Sequence, residues 1–289
     1  MQKYNIEQLK EMARQLRRDV IKMLMISQSG HTGGPLGAAD IFSCLYFNVL
    51  RVDPKNPKWE DRDFFFLSAG HYAPIWYSSL ARAGYFSLNE LSTLRKINSH
   101  LQGHPAPFHT HGVAGVEVAS GALGQGLSVA VGAALASRLS KKANRVYVFM
   151  GDGELDEGQI WEAAMTAAHH KVANLTAIVD RNNCQIDNFT DKVMNLEPLS
   201  DKWRGFAWNV IECNGNSVEE FLSAVEESKK CADKPTVIIA KTFMGNNVSF
   251  MQDDYKWHGV PPSDEQGKKA LAELTPTSHG DFIKFDWEK

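Results

Sequence analysis

Apolar residues at Ile6, Leu9, Ala13, Leu16, Val20 and Leu24 recur at spacings of three and four. That spacing predicts one face of a long opening helix, which ends near Gly30. A second apolar stretch, Ile41 to Leu50, stops at the breakers Pro54 and Pro57. Asp63-Phe64-Phe65-Phe66-Leu67 reads as a short buried strand running into Ser68-Ala69-Gly70-His71. Residues 98–116 mix glycine, proline and histidine without a period and are predicted to be a loop.

A regular alternation follows. Leu127, Ala130, Val131, Ala134 and Leu135 mark a helix, and Arg145 to Phe149 a strand that turns at Gly151-Asp152-Gly153. Ile160, Ala163, Ala164, Ala167 and Ala168 mark the next helix, and Leu175 to Val179 the next strand. Asn209 to Ile211 is another strand, followed by a helix from Val218 to about Lys229 and a strand from Thr236 to Ala240. Strands alternating with helices across short loops imply an α/β fold: a mostly parallel sheet with helices on both faces. Ligands of such sheets sit at the carboxyl ends of the strands, here Ser68–His71, Gly151–Gly153 and Asp180–Cys184. After Thr242 the pattern fades. Ser263-Asp264-Glu265-Gln266 is a capping-box start for a short helix to Leu274, with a surface tail beyond. The chain divides into one domain, 1–262, and a C-terminal helix and tail, 263–289.

Composition narrows the function classes. A net charge of −3 over 289 residues gives no footprint for nucleic acid or for an anionic membrane. No apolar run is long enough to span a bilayer, and the polar N-terminus lacks the core of a signal peptide. Cys44, Cys184, Cys213 and Cys231 are scattered without a CxxC pair, as expected of reduced thiols in a soluble cytoplasmic protein.

The chemistry concentrates in two turns. Gly151-Asp152-Gly153 closes one strand, and Asn182-Asn183 closes the next. One helix and one strand separate them, so both return to the same edge of the sheet. Each alone is ordinary turn chemistry. Together they can offer the Asp152 carboxylate, the Asn182 amide oxygen and the Cys184 backbone carbonyl to a magnesium ion, which wants about six oxygens. A diphosphate would complete the set. Gly153 leaves room for it, and the following helix aims its N-terminal amides at the anion.

Four of the ten histidines flank glycine: His31, His71, His104 and His258. Imidazole can bind phosphate or move a proton near neutral pH, and a cluster of such groups suits the hydroxyls of a sugar. His71 stands out because it sits at a predicted strand end. His100, His109, His111, His169, His170 and His279 are expected to be solvated surface groups.

These segments, in order, resemble the transketolase family. They are Ser29-Gly30-His31-Thr32-Gly33-Gly34-Pro35-Leu36-Gly37, Ser68-Ala69-Gly70-His71, Gly103-His104-Pro105, Gly115 through Gly126, the two turns above, and Trp257-His258-Gly259. The resemblance implies a diphosphate-binding (PP) domain with thiamine diphosphate and Mg²⁺ as cofactors. It implies that Asp152, Asn182 and the Cys184 carbonyl hold the metal. His71, Gly153 and His258 would contact the diphosphate, and Gly121 and Leu123 the cofactor rings. His31, His104 and His258 would face the sugar as catalytic groups. Glu157 and Glu162 match acidic residues at the family's subunit interface; read by themselves, they are equally solvated carboxylates on the first turns of a helix. Thr32 stands where many relatives carry proline, and 105–114 departs from the usual stretch. Gly245 to Met251 looks most like the branch of the family split into two chains.

A transketolase also needs a pyrimidine-binding (Pyr) domain, and residues 243–289 are too few to form one. The resemblance therefore implies a separate C-terminal subunit carrying the Pyr domain and a C-terminal domain, in a heterotetramer with two copies of each chain. The expected reaction is transfer of a two-carbon ketol unit between sugar phosphates, pentose phosphates by family default, through nucleophilic catalysis by the cofactor. Three alternatives share the GDG…NN pair or its ligand: the PP-domain chain of a 2-oxo acid dehydrogenase, a synthase joining pyruvate to an aldehyde, and a non-catalytic Mg-diphosphate-binding subunit. The glycine-flanked histidines separate transketolase from the dehydrogenase chain.

Overall fold

The computed structural model describes residues 3–288; Met1, Gln2 and Lys289 lie outside the described residues. Its helices are α1 (Ile6–Ser27), α2 (Gly33–Gly37), α3 (Ala39–Cys44), α4 (Ala73–Ala83), α5 (Gln125–Leu139), α6 (Gly158–His169), α7 (Thr190–Val193), α8 (Leu199–Gly205), α9 (Val218–Ser228) and α10 (Asp264–Glu273). The strands are β1 (Phe64–Leu67), β2 (Val146–Gly151), β3 (Leu175–Arg181), β4 (Asn209–Asn214) and β5 (Thr236–Lys241). They form one sheet in the order β1-β2-β3-β5-β4, and every pairing is parallel.

Strand side chains alternate between two cores, as the two-residue period requires. Phe65, Leu67, Tyr147, Phe149, Ile178 and Ile238 face a core shared with α1, α3, α4 and α9. Phe66, Val148, Met150, Ala177, Val179 and Ile239 face the other, shared with α5, α6 and α8. Burial on both faces is why β2, β3 and β5 read as unbroken apolar runs. The strands also run further than their apolar runs: β2 reaches Gly151, β3 reaches Arg181 and β4 reaches Asn214. The first glycine of the GDG turn and the pair Asp180-Arg181 are therefore strand residues.

Helix α4 is not visible in the hydrophobic pattern. Every residue from Ala73 to Ala81 is buried, so no polar face marks its period. The short α2, α7 and α8 are likewise undetected. The 98–116 segment is a loop as expected, with one short 3₁₀ turn at Phe108–Thr110.

Helix α1 differs from a helix with one apolar face. It starts at a capping box in which the Asn5 and Gln8 side chains each accept the other residue's backbone N–H. Its polar side is buried as well: Gln15, Arg17, Arg18, Asp19 and Lys22 are all within 3% of full burial. Each is paired. Gln15 donates to Asp19 at 2.9 Å. Arg17 meets Asp40, Asp19 meets Arg82 at 2.8 Å, and Arg18 and Lys22 meet Asp281 and Glu288 of the tail. The tail lies on the surface, as expected, but it is strapped to α1 by these ions. Lys22 Nζ also donates to the Ile283 carbonyl at 2.9 Å and stands over the Phe285 ring. Among the described residues no helix is long and apolar enough to cross a membrane.

Candidate active site

The register of the sheet builds the site. Gly151 of β2 pairs with Asp180 of β3. The next residues, Asp152 and Arg181, therefore emerge side by side, with Asn182 one step on. Arg181 Nη1 donates to Asp152 Oδ2 at 2.9 Å, and the Asn183 backbone N–H donates to the same oxygen at 2.7 Å. Asp152 Oδ1 accepts from the Gly153 N–H at 2.8 Å. Asn182 Nδ2 donates to Asp180 Oδ2 at 2.9 Å and to the Tyr72 hydroxyl at 3.0 Å, while its Oδ1 accepts from the Cys184 N–H at 2.9 Å. Asp180 in turn accepts from the Tyr72 and Thr242 hydroxyls.

Of these groups Tyr72, Asp152, Asn182 and Cys184 line a cavity of about 230 Å³ with His31, His71, Leu123, Gly153 and His258. The three rings form a triangle: centroids are 5.0 Å apart for His31–His71, 5.2 Å for His71–His258 and 5.6 Å for His31–His258. Each comes from a different segment: His31 from the turn before α2, His71 from the turn after β1, and His258 from the stretch after β5. Thr32 ties two of these together, its Oγ1 donating to the Val260 carbonyl at 2.7 Å. The turn after β1 lies against the loop before α5: a Cβ on Gly70 would sit 2.7 Å from the Gly121 nitrogen, so this position needs glycine. Gly121 itself has φ +145° and packs against the His104 ring. His104 is thus at the rim of the histidine group, more exposed than the other three.

Burial sets the charge states. It pulls His31 down to about 4, with the neighbouring His258, Arg95 and His104 adding to the effect. It pulls His71 well below its ordinary value, again helped by its neighbours, and lowers His258. His104 is lowered by burial and by Arg95. The imidazoles are therefore neutral near pH 7 and can both donate and accept. The Nδ1 atoms of His31 and His258 are buried without a protein partner. The carboxyls shift the other way. Burial raises Asp152 to about 6, against the pull of Arg181, and raises Glu154 to about 7, against its hydrogen bonds from Ser68, Gly124 and Gly151. Asp180 is also raised by burial. Two buried carboxyls, Asp152 and Glu154, thus line the cavity, while Arg181 pairs with Asp152 and Asp180 holds the Asn182 amide from outside the lining.

Among the described residues no three His, Cys, Asp or Glu side chains form a metal-binding group. The expected donor set is of another kind: one carboxylate, one amide oxygen and one backbone carbonyl. Asp152, Asn182 and Cys184 are each at most 2% exposed and line the same cavity. Surplus buried negative charge and two unpartnered imidazole nitrogens suit a divalent cation with an anionic ligand.

Glu157 caps α6 and Glu162 lies one turn further on, both exposed. The histidines expected at the surface are exposed, except His279, which is half-buried and stacks on Tyr4 with centroids 6.2 Å apart. Tyr72, Glu154, Asp180 and Arg181 also stand at or behind the cavity; Asp180 and Arg181 fall in the strand end Asp180–Cys184 expected there but were given no role, and Tyr72 and Glu154 were not singled out. Each neighbours a chosen motif, and a polar residue in or next to an apolar strand end is the signal that could have found them.

Comparison with known proteins agrees with this geometry. The family described as Transketolase, thiamine diphosphate binding domain matches residues 7–282. The 6-deoxy-6-sulfo-D-fructose transketolase subunit SqwG of Clostridium sp. is 40% identical over 265 residues, covering 90% of this chain and 95% of that one. One subunit of the apulose-4-phosphate transketolase of Phocaeicola vulgatus is 39% identical over 270 residues, with 93% and 95% covered. The crystal structure of transketolase from Campylobacter jejuni superposes with a TM-score of 0.90 at 35% identity, covering 97% of this chain but 44% of that one. The chain therefore matches separately encoded transketolase subunits end to end and less than half of a single-chain enzyme. It belongs to the transketolase family, as its N-terminal, thiamine-diphosphate-binding part.

Proposed function

We propose that this chain is the cofactor-holding half of a two-chain transketolase, which moves a two-carbon ketol unit from a ketose phosphate to an aldose phosphate. The observation that carries the reading is the meeting of three neutral imidazoles, His31, His71 and His258, with Asp152 and Asn182 around one cavity. A chain that only docks Mg-diphosphate has no need of the His31 and His104 side of the site, and neither does a 2-oxo acid dehydrogenase.

Asp152, Asn182 and the Cys184 carbonyl would hold Mg²⁺, with Arg181 fixing the carboxylate and Asp180 the amide. His71, Gly153 and His258 would contact the diphosphate, and Gly121 and Leu123 the rings. Bound there, thiamine diphosphate supplies the nucleophilic carbon that makes and breaks the carbon–carbon bond. The protein's part is to orient, exclude water and move protons. The Nδ1 atoms of His31 and His258 can each accept or release a proton at a sugar hydroxyl or carbonyl oxygen, and His104 can do so from the rim. Their depressed pKa keeps them from carrying a fixed charge that would compete with the metal.

The rest of the site belongs to a second chain bearing the Pyr domain and a C-terminal domain, in a heterotetramer with two copies of each. The exposed Glu157 and Glu162 fit that interface. The setting is cytoplasmic. The sugars follow the pentose-phosphate default, and the names of the two relatives add 6-deoxy-6-sulfofructose and apulose 4-phosphate to the set worth assaying. The test is co-expression with the neighbouring open reading frame, followed by a ketol-transfer assay with thiamine diphosphate and Mg²⁺. Activity should appear in the mixture and in neither chain alone. Turnover by this chain alone would sink the two-chain reading, and no turnover in any mixture would favour a binding-only role.

A further inference from the structure

Three backbone segments carry the candidate cofactor ligands: the turn after β1 with His71, the loop before α5 with Gly121 and Leu123, and the end of β2 with Asp152. All three converge on one side chain that the reading above leaves without a role. Glu154 is 2% exposed. Its Oε1 accepts from the Ser68 hydroxyl and from the Gly124 backbone N–H at 2.7 Å. Its Oε2 accepts from the Gly151 N–H at 3.1 Å. Ser68 Oγ then accepts from the Gly126 N–H at 3.0 Å, which carries the clamp into the first turn of α5.

Resting on the transketolase reading, we infer that Glu154 is a positioning residue: one carboxylate fixes the three loops before the cofactor arrives. The ionised form, which these three hydrogen bonds favour against burial, is acceptor-only. Three donors point at two oxygens, and a carboxylate offers lone pairs to all of them. A glutamine of the same shape must turn an NH₂ toward the Ser68–Gly124 pair or toward Gly151, leaving a buried N–H opposed by another donor. The clamped atoms belong mainly to backbone rather than to side chains. Its loss therefore blurs where the loops sit, without removing any ligand.

The contrast is with a carboxylate that merely stabilises the fold. Such a group, when lost, lowers protection against amide exchange everywhere in proportion to global stability. A clamp on three loops lowers it locally. The experiment is amide exchange by NMR on the cofactor-free chain, wild type against Glu154→Gln, read at Gly124, Gly126 and Gly151 and at the central-strand residues Ile178 and Ile238. Exchange should speed up by about tenfold, the worth of one good hydrogen bond, on the side that the new NH₂ faces, at Gly124 and Gly126 or at Gly151, with Ile178 and Ile238 unchanged. In the assembled enzyme the Kd for thiamine diphosphate with Mg²⁺ should rise by about tenfold, and saturating cofactor should restore protection of the affected glycines. Unchanged exchange at the glycines, an equal rise at Ile178 and Ile238, or a Kd equal to that of wild type overturns the inference. Should Glu154→Gln not fold, Ser68→Ala decides the matter: Gly126, which donates to Ser68 Oγ, should exchange faster while Gly151 does not, and uniform or absent change overturns the clamp. A wild-type assembly that binds no thiamine diphosphate would instead sink the reading of the site, an outcome the cofactor-free exchange data keep separate.

Discussion

Asp180 Oδ2 takes the side-chain amide of Asn182 at 2.9 Å and so leaves the Asn182 oxygen, not its nitrogen, to accept from the Cys184 N–H at 2.9 Å. An amide can flip at little cost unless its neighbours distinguish its two ends. Here a buried carboxylate and the Tyr72 hydroxyl make that distinction, as outer partners do for metal ligands generally. Asp180→Asn removes it. Mg²⁺-dependent binding of thiamine diphosphate should weaken by about 10- to 100-fold, measured by calorimetry. Thr242→Val, which touches the other Asp180 oxygen, should lower the melting temperature with much less effect on that affinity. Equal affinity in Asp180→Asn and wild type would show that the amide is fixed by something else.

Asp152→Asn tests the metal assignment itself. The substitution keeps the shape but removes the charge, and its NH₂ must face either the Gly153 N–H or the donors from Arg181 and Asn183. Arg181 keeps its second ion pair, with Glu197 at 3.0 Å, so the fold should survive. Mg²⁺-dependent cofactor binding should fall by more than about 100-fold, beyond the usual cost of an outer-shell partner. Circular dichroism checks the fold, and titration with thiamine diphosphate at fixed Mg²⁺ checks the loss.

The metal should also stabilise the chain in a pH-dependent way. Asp152 is raised by burial to about 6 and Glu154 to about 7. Carboxyls whose folded pKa lies above the unfolded value contribute stability below the unfolded value and lose it as pH rises through the folded one. A divalent cation reverses this by binding the ionised form. Mg²⁺ with thiamine diphosphate should therefore raise the melting temperature more at pH 8 than at pH 5, and chelator should cancel the gain. An equal gain at both pH values would count against an ionised ligand set.

The imidazoles act with the opposite sign. His31, lowered to about 4 by burial and by the neighbouring His258, Arg95 and His104, binds a proton more readily unfolded than folded. It costs no stability above about pH 6.5, and stability falls as pH drops from about 6.5 toward 4, by up to about 1.4 kcal/mol per unit. NMR of ring-labelled histidine should show the His31 and His71 resonances unmoved between pH 8 and 6. His31→Asn should lessen the acid-side loss of stability relative to wild type. Titration of His31 with a midpoint near its ordinary value would mean that the site is open to water.

The tail strap gives a stability prediction far from the cavity. Lys22 is fully buried and pairs with Glu288 and, at 3.2 Å, with Asp281. Glu288→Ala leaves Asp281 as its remaining carboxylate, and the loss should be about 1–3 kcal/mol, below the roughly 3–5 kcal/mol typical of a charge left wholly unpaired. Lys22→Met, by contrast, removes the buried charge and should cost less. Denaturant unfolding of the two variants checks the order.

What the sequence determined alone was the frame. Central parallel strands are buried on both faces, so β2, β3 and β5 must be apolar throughout, and the chain announces them. The two turns that end β2 and β3 could be read as one site because a βαβ unit returns its strand ends to the same edge. The ordered glycine-histidine segments then pointed to the family. What only the tertiary structure decided depends on contacts without a period. Helix α4 is buried on every side and so has no stripe to reveal it. The polar side of α1 is buried only because Asp40, Arg82, Asp281 and Glu288 arrive from elsewhere to pair with it. The position of β5 between β3 and β4, the meeting of His31, His71 and His258, and the hold of Glu154 on three loops join residues far apart in the chain. Long-range packing sets these relations, and local propensity carries no record of them.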